Sequence, residues 1–388
     1  MNSTVYATRC TDYDQVDKKI SVLFEMMGGI NKFAQPGDRV ALKPNLLQAA
    51  KPERAITTHP RIIEAVGEVV KSHKAEPFIL ESPTGAYPHT SGTLERVYKE
   101  TGMAEAAAQS GIELCYDVSQ ENVSFPNGKL TKLFQLCSPI MNADLVINLS
   151  KLKTHSLTAM TGAIKNLFGV IPGRAKPGYH ATLEDKFLFA RMLLDLADCI
   201  APRLSIMDAV VGMEGNGPSG GDPRQVGLLL ASENPLALDL VAGEVMGLDR
   251  EDNPFLIEAE KTGRGPTRLE DIQLIGIEPE ELRIPDFQLP VTVRTDTRLR
   301  SASWLQDALF STFRSAMTLQ PRVIPADCIA CEDCVNICPT NTIDIVVDTQ
   351  KYALIDDDGC IRCYCCHETC PEDAIELHKS LLYRLVRE

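Results

Sequence analysis

Eight cysteines near the end of this 388-residue chain are spaced for metal chemistry. The stretch DCIACEDCVNICPTNTIDIV, which begins at Asp327, recurs 32 residues later as GCIRCYCCHETCPEDAIELH. Each copy holds Cys-x2-Cys-x2-Cys-x3-Cys-Pro: Cys328, Cys331, Cys334, Cys338 and Pro339, then Cys360, Cys363, Cys366, Cys370 and Pro371. A cubane iron–sulfur cluster needs four thiolates converging on it; a short loop supplies three, and the fourth must come from elsewhere. Tetrahedral zinc also takes four thiolates, but usually from two Cys-x2-Cys units across a spacer. Three cysteines at every third position in both halves favour clusters over zinc.

This region, residues 325–378, resembles the two-cluster bacterial-type ferredoxins. The resemblance implies that the last cysteine of each run serves the other cluster. One 4Fe–4S cluster would then be held by Cys328, Cys331, Cys334 and Cys370, and a second by Cys360, Cys363, Cys366 and Cys338. Cys365 fits no ligand slot and reads as a spare thiol. Residues 321–388 carry 13 Asp and Glu against 6 Lys and Arg, half of the chain's net charge of −14. Such a surface suits docking to a basic redox partner protein, an electron donor or acceptor.

The elements that must position this chemistry lie upstream. Residues 1–290 alternate apolar strand-like runs with amphipathic helical stretches, which predicts an α/β sheet domain with crossover helices. A small α+β bacterial two-cluster ferredoxin-type domain follows at 321–388, after an amphipathic linker helix within 291–320. The strands DRVALKPNLL, EPFILESPTG, ADLVINLSKLKTH and LSIMDAVVGMEG are expected to leave at Lys43, Glu81, Ser150 and Asp208. PRIIEAVGEVVKSH, EDKFLFARMLLDLADCI and NPLALDLVAGEVMG read as helices, the last capped by Asn234 with Pro235 at its first position. Open α/β sheets collect ligands at the carboxyl ends of their strands. Those ends carry Lys43, Asn45, Glu81, Ser82, Lys151, Lys153, His155, Asp208 and Glu214, so a polar cleft is expected there.

One stretch of that domain is exceptional. From Lys151 to His180 there are five Lys or Arg and no Asp or Glu, in a chain holding 53 carboxylates. An extended backbone would point Lys151, Lys153 and His155 the same way. SLTAMTGAIKNLFGV then reads as a helix with Thr154 or Ser156 near its cap, Lys165 and Asn166 near its far end, and Arg174, Lys176 and His180 in the Gly/Pro-rich loop beyond. The pattern predicts an anion-binding region. GNGPSG at 215–220 matches a dinucleotide-binding fingerprint by letter, but Pro218, Gly221 and Pro223 leave no room for the helix it needs.

LKPN at 42–45, NLSKLKTH at 148–155, GAIKNLFGV at 162–170 and MDAVVGMEGNGP at 207–218 together resemble the family catalogued as domain of unknown function 362. The likeness spans about residues 35–250 and implies a unit fused to a two-cluster module in anaerobic or iron–sulfur-rich metabolism. An enzyme of this kind would be an iron–sulfur oxidoreductase, passing electrons from the clusters to an anionic small molecule. Lys43, Asn45, Lys151, Lys153, Lys165, Asn166 and Glu214 would bind the ligand, and His155 or His180 would exchange a proton near neutral pH. No flavin motif is visible, so any organic cofactor is unidentified. The alternatives are a noncatalytic electron carrier docking to a redox complex, and a metalloprotein maturation factor.

Composition narrows the setting. Four cysteines outside the repeat (Cys10, Cys115, Cys137 and Cys199) stand singly, as reduced small hydrophobes do in a cytoplasmic protein. Excess acid argues against nonspecific nucleic-acid binding. The apolar runs fall far short of the ~18–20 residues of a membrane span, and the N-terminus does not read as a secretory signal.

Overall fold

The computed structural model describes residues 3–293 and 319–378. A mixed sheet dominates the first segment. Its strands are β1 (Thr4–Arg9), β2 (Arg39–Pro44), β3 (Glu76–Ile79), β4 (Glu113–Leu114), β7 (Leu145–His155), β9 (Leu204–Asn216), β10 (Gly220–Ser232) and β11 (Gln273–Ile275). Between them in the chain lie a separate hairpin, β5 (Gln120–Ser124) with β6 (Leu133–Cys137), and the short β8 (Ala159–Met160), which pairs only with β7. The sheet order is β11-β1-β10-β9-β7-β2-β3-β4. β9, β7, β2, β3 and β4 are mutually parallel, and β10 runs antiparallel to both β9 and β1.

Alternation along the strands builds two apolar layers. Val40, Leu42, Ile147, Leu149 and Ile206 face the helices Val16–Met26 and Pro60–Ser72. Ala41, Phe78 and Val146 face Lys186–Ile200 and Pro254–Lys261, while Met207, Leu228 and Leu230 pack on Pro235–Met246. Asn234 caps that last helix, accepting from the amides of Leu236 and Ala237. β7 is the central strand, and all eleven of its residues are buried.

Two strands run further than the sequence predicts. β7 does not leave the sheet at Ser150 but stays extended to His155, because β9 pairs it as far as Lys153↔Met213 and β8 folds back on Thr154 and His155. β9 passes Asp208 and continues to Asn216, then returns as β10; GNGPSG is the turn of that hairpin. The helix expected over SLTAMTGAIKNLFGV shrinks to Gly162–Asn166, followed by a 3-10 turn at Leu167–Val170. Gly162 has a left-handed backbone (φ +62°), and the buried carboxylate of Asp239 accepts from the amides of Ala163 and Ile164, so the helix starts there. Thr154 and Ser156 cap nothing; their hydroxyls hold the β9–β10 turn at Gly217. The loop after the 3-10 turn contains its own short helix, Lys176–Thr182.

The second segment is small. β12 (Gln320–Val323) pairs with β15 (Ile375–His378), and β13 (Ile343–Val347) with β14 (Lys351–Ile355). The internal repeat extends to backbone detail. The helices Asp333–Ile337 and Cys365–Thr369 occupy equivalent places. Left-handed residues Ala330, Glu332 and Asn341 recur as Arg362, Tyr364 and Asp373. Left-handed residues in so short a loop let it curl tightly around one centre, a geometry suited to holding an anionic group. The linker helix expected within 291–320 falls mostly outside the described residues.

Candidate functional site

The carboxyl ends of β2, β3 and β7 open on a cavity of about 80 Å³, several times what one water occupies. Ten of its 22 lining residues come from the carboxylate-free stretch Lys151–His180, which therefore forms the site's walls rather than a solvated face. The roof is the C-terminal module, which contributes Ile337, Cys365 and Glu368. It is fastened by Ser219 Oγ donating to the Glu368 carbonyl (2.6 Å), by His367 Nε2 against the Asn216 carbonyl (3.2 Å), and by an Arg54–Asp373 ion pair (2.6 Å).

A buried ion pair underlies the cavity. Lys43 Nζ lies 2.7 Å from Glu81 Oε2, and Glu81 also accepts from the amides of Leu46 (3.2 Å) and Ser82 (2.8 Å). Burial pushes the Lys43 pKa down and the Glu81 pKa up, and the partner's charge opposes the shift in each case. The backbone of the GAIKNLFG segment crosses this pair so closely that a methyl at Gly169 would land on the Glu81 carboxylate. Lys176, whose pKa burial lowers to about 8, donates to the carbonyls of Ser82 and Pro83.

The remaining cations face the cavity. Lys153 donates to the carbonyls of Ile56 (2.7 Å) and Pro218 (3.2 Å), and burial with nearby Lys165 holds its pKa well below the usual value. Lys165 lies 5.4 and 5.8 Å from the ring centres of Phe168 and Phe189, and its ammonium has no hydrogen bond or ion pair among the described residues. His155 Nδ1 accepts from the amides of Leu157 (3.0 Å) and Thr158 (3.4 Å), so in the neutral ring Nε2 carries the proton. That Nε2 stands 3.2 Å from Glu368 Oε1 without the alignment of a hydrogen bond, and both atoms are left unpartnered. Burial raises Glu368 to about 7, offset by Lys165 and Lys153. His180 stacks on Phe189 at 4.4 Å, with its Nδ1 buried and unpartnered.

Both histidines are held neutral. Burial, then Lys165, lowers His180 to about 3 and depresses His155 in the same direction. An unfolded histidine takes up its proton near pH 6.5. The unfolded chain therefore binds more protons below that pH, and stability is lost as pH falls from about 6.5 towards 3, by at most about 1.4 kcal/mol per pH unit for each ring. Urea midpoints measured from pH 6.5 down to 5 should fall less steeply in His180→Phe than in the native protein; equal slopes would refute this.

Not every expected residue reaches the cavity. Lys43 is spent on Glu81, while Asn45, Lys153, His155, Lys165, Asn166 and His180 line the site. Lys151 does not. The β7–β9 ladder shifts register between Lys151 and Lys153, and the Lys151 ammonium turns to Asp208 (2.8 Å) and Tyr13 (3.0 Å) in a separate buried cluster where Tyr13 stacks on His59 at 3.6 Å. Glu214 lies out along the β9–β10 hairpin, beside Arg224 (3.5 Å) and the amide of Gln288 (3.0 Å). Lys176 lines the site from the carboxylate-free stretch, and Thr161, Cys365 and Glu368 line it without a sequence signal of their own.

The cysteines ring two further cavities. Cys328, Cys331, Cys334 and Cys370 line one, and Cys338, Cys360, Cys363 and Cys366 line the other. Each cavity takes three cysteines from one run and the last of the other, the grouping that the ferredoxin resemblance implies. The repeat extends to the sulfurs: the amide of Thr342 donates to Cys338 Sγ (3.4 Å) and that of Ala374 to Cys370 Sγ (3.2 Å). Four thiols around a cage, with inward amides, fit a cubane cluster. Cys365, in the repeat position of Asp333, is buried and lines both the second cage and the roof of the large cavity.

Comparison with known proteins agrees with this division. Residues 40–244 match the domain of unknown function DUF362, and residues 327–374 match a 4Fe-4S dicluster domain. A thylakoid-associated protein of Synechocystis sp. is 36% identical over 278 residues, covering 70% of this chain and 82% of that one. Ferredoxin-1 of Caulobacter vibrioides is 34% identical over 56 residues, 14% of this chain and 47% of its own. Among solved structures, the lactate racemase apoprotein of Thermoanaerobacterium thermosaccharolyticum aligns with a TM-score of 0.41 at 12% identity, over 64% of this chain and 58% of that one.

Proposed function

Since this chain belongs to the DUF362 family and carries a 4Fe-4S ferredoxin-type domain, a module that supports an electron-carrier role, we propose that it is an iron–sulfur oxidoreductase reducing a small anion in the roofed cavity. The observation that carries this reading is Cys365, which borders the second cysteine cage on one side and the cavity on the other. Two 4Fe–4S clusters, bound by the two cysteine sets, would each supply single electrons, received from a redox partner protein docking on the acidic module. A two-electron reduction also consumes two protons, and Glu368, raised to about 7, is the group placed to take them from solvent and give them in turn. His155 and His180 are held neutral instead of exchanging a proton near neutral pH, and His155 offers its Nε2–H only as a hydrogen bond. Lys153, Lys165 and Lys176 line the cavity against Glu81 and Glu368, and Glu81 is already matched by Lys43, so the surplus charge favours an anion. A reducing, cytoplasmic compartment suits eight cluster thiolates, one of them, Cys331, exposed, and five further cysteines without a disulfide among the described residues. Among the described residues no helix is long and apolar enough to cross a membrane.

Lys165 is the test, because its ammonium has no other polar partner. Lys165→Ala should lower the affinity for acetate and succinate at least tenfold in calorimetry on oxygen-free protein, with cluster absorbance unchanged. Unchanged affinity removes the anion assignment. The noncatalytic carrier is the second reading, favoured by the exposure of Ile329 (61%) beside the first cage. It requires reversible cluster reduction and a partner, but no small ligand.

A further inference from the structure

We infer that the anion taken by this cavity is a hydroxycarboxylate, whose hydroxyl group donates to Oδ1 of Asn45. This rests on the anion reading above and adds a second, uncharged recognition point to it.

The argument begins with three buried amides joined end to end. Asn148 Nδ2 donates to the backbone carbonyl of Ala163 (2.9 Å), which fixes its Oδ1 as the free end. That oxygen accepts from Asn166 Nδ2 (2.7 Å), whose orientation is fixed independently by a bond to the carbonyl of Lys43 (3.2 Å). Asn166 Oδ1 in turn accepts from Asn45 Nδ2 (3.0 Å). Two backbone carbonyls thus set the polarity of the whole chain, and no amide in it can flip without two acceptors meeting. The ladder ends at Asn45 Oδ1, buried and unpartnered at the cavity wall. A buried acceptor without a donor costs the full desolvation of that group, so the occupant must bring a donor.

Charge decides the kind of donor. Lys153, Lys165 and Lys176 line the same cavity, and an ammonium there would meet like charge, so the donor is a hydroxyl. Lys165 and the Nε2–H of His155 offer positive charge and a donor to the carboxylate, and Thr161 Oγ1 supplies a further unpartnered buried hydroxyl.

The test is a binding panel on oxygen-free, cluster-loaded protein by calorimetry, using pairs that differ by one hydroxyl: glycolate against acetate, and malate against succinate. In at least one pair the hydroxy acid should bind at least tenfold tighter, because a site built to pair a hydroxyl rejects the analogue lacking it. Asn45→Ala should bring that hydroxy acid down to its analogue's affinity and leave the analogue unchanged. Equal affinities within both pairs overturn this inference while the anion site stands. Failure of all four acids to bind overturns both readings. Glycine binding as tightly as glycolate would show that a charged donor is accepted and would overturn the choice of hydroxyl. The panel needs no variant to fold, so the native protein alone decides.

Discussion

Cys370→Ala should empty the cage of the first cysteine run, not that of the run in which Cys370 lies. Iron content should drop from about eight to about four per chain, since each cubane binds through four thiolates. Pairing the change with a second one tests the crossing. Cys370→Ala with Cys334→Ala strikes one cage twice and should keep about four irons, whereas Cys370→Ala with Cys360→Ala strikes both and should leave almost none. Iron analysis with low-temperature electron paramagnetic resonance reads the result. If the first pair of substitutions lost all iron and the second kept half, each run would hold its own cluster. The cavities lined by Cys328, Cys331, Cys334 and Cys370 and by Cys338, Cys360, Cys363 and Cys366 support the crossed arrangement.

Lys43→Met should be the most damaging single change in the sheet domain. It leaves the Glu81 carboxylate, whose side chain is 3% exposed, facing no counter-ion at hydrogen-bonding distance. Removing one partner of a buried pair costs about 3–5 kcal/mol, because the remaining charge stays buried. Adding Glu81→Gln to Lys43→Met should recover part of that loss, since it removes the buried charge while its NH2 must face one of the two amide donors, Leu46 or Ser82, that the carboxylate accepts. Urea unfolding of the two variants checks this; equal midpoints would mean that Lys176 already neutralises Glu81.

Sequence spacing made the two three-cysteine loops legible, because a cluster that takes three of its ligands from one short loop leaves a local pattern; the crossing of the fourth ligand came with the ferredoxin resemblance. The parallel strands were legible for a similar reason: Val40–Leu42 and Leu145–Ile147 are the unbroken apolar runs that strands covered on both faces require. The strand ends at Lys43 and Glu81 were also visible. Their pairing was not, because the partners lie on separate strands whose order no local pattern encodes. Lys151 and Lys153 look alike in sequence, and only a register shift against β9 sends one to Asp208 and leaves the other at the cavity. The carboxylate-free stretch lines the cavity, although a left-handed Gly162 and a distant Asp239 break the helix expected in it. Glu368 and Cys365 were beyond reach, since nothing between two cysteine ligands announces that the segment also roofs a cavity some two hundred residues upstream.

The place of β1 bears on how the chain is made. Its register sets Tyr6 opposite Ala231, and its other edge pairs with Gln273–Ile275. During synthesis the first strand is therefore exposed at once and has no sheet partner until more than two hundred residues have followed it. At the 5–20 residues per second of a working ribosome, that wait is roughly 10–45 s. A strand left with both edges unpaired for so long is an aggregation hazard. The helix Val16–Met26, which packs against it and emerges only moments later, can shelter one of its faces in that interval. Weakening that helix should thus reduce the yield of nascent protein more than it reduces the stability of the finished one.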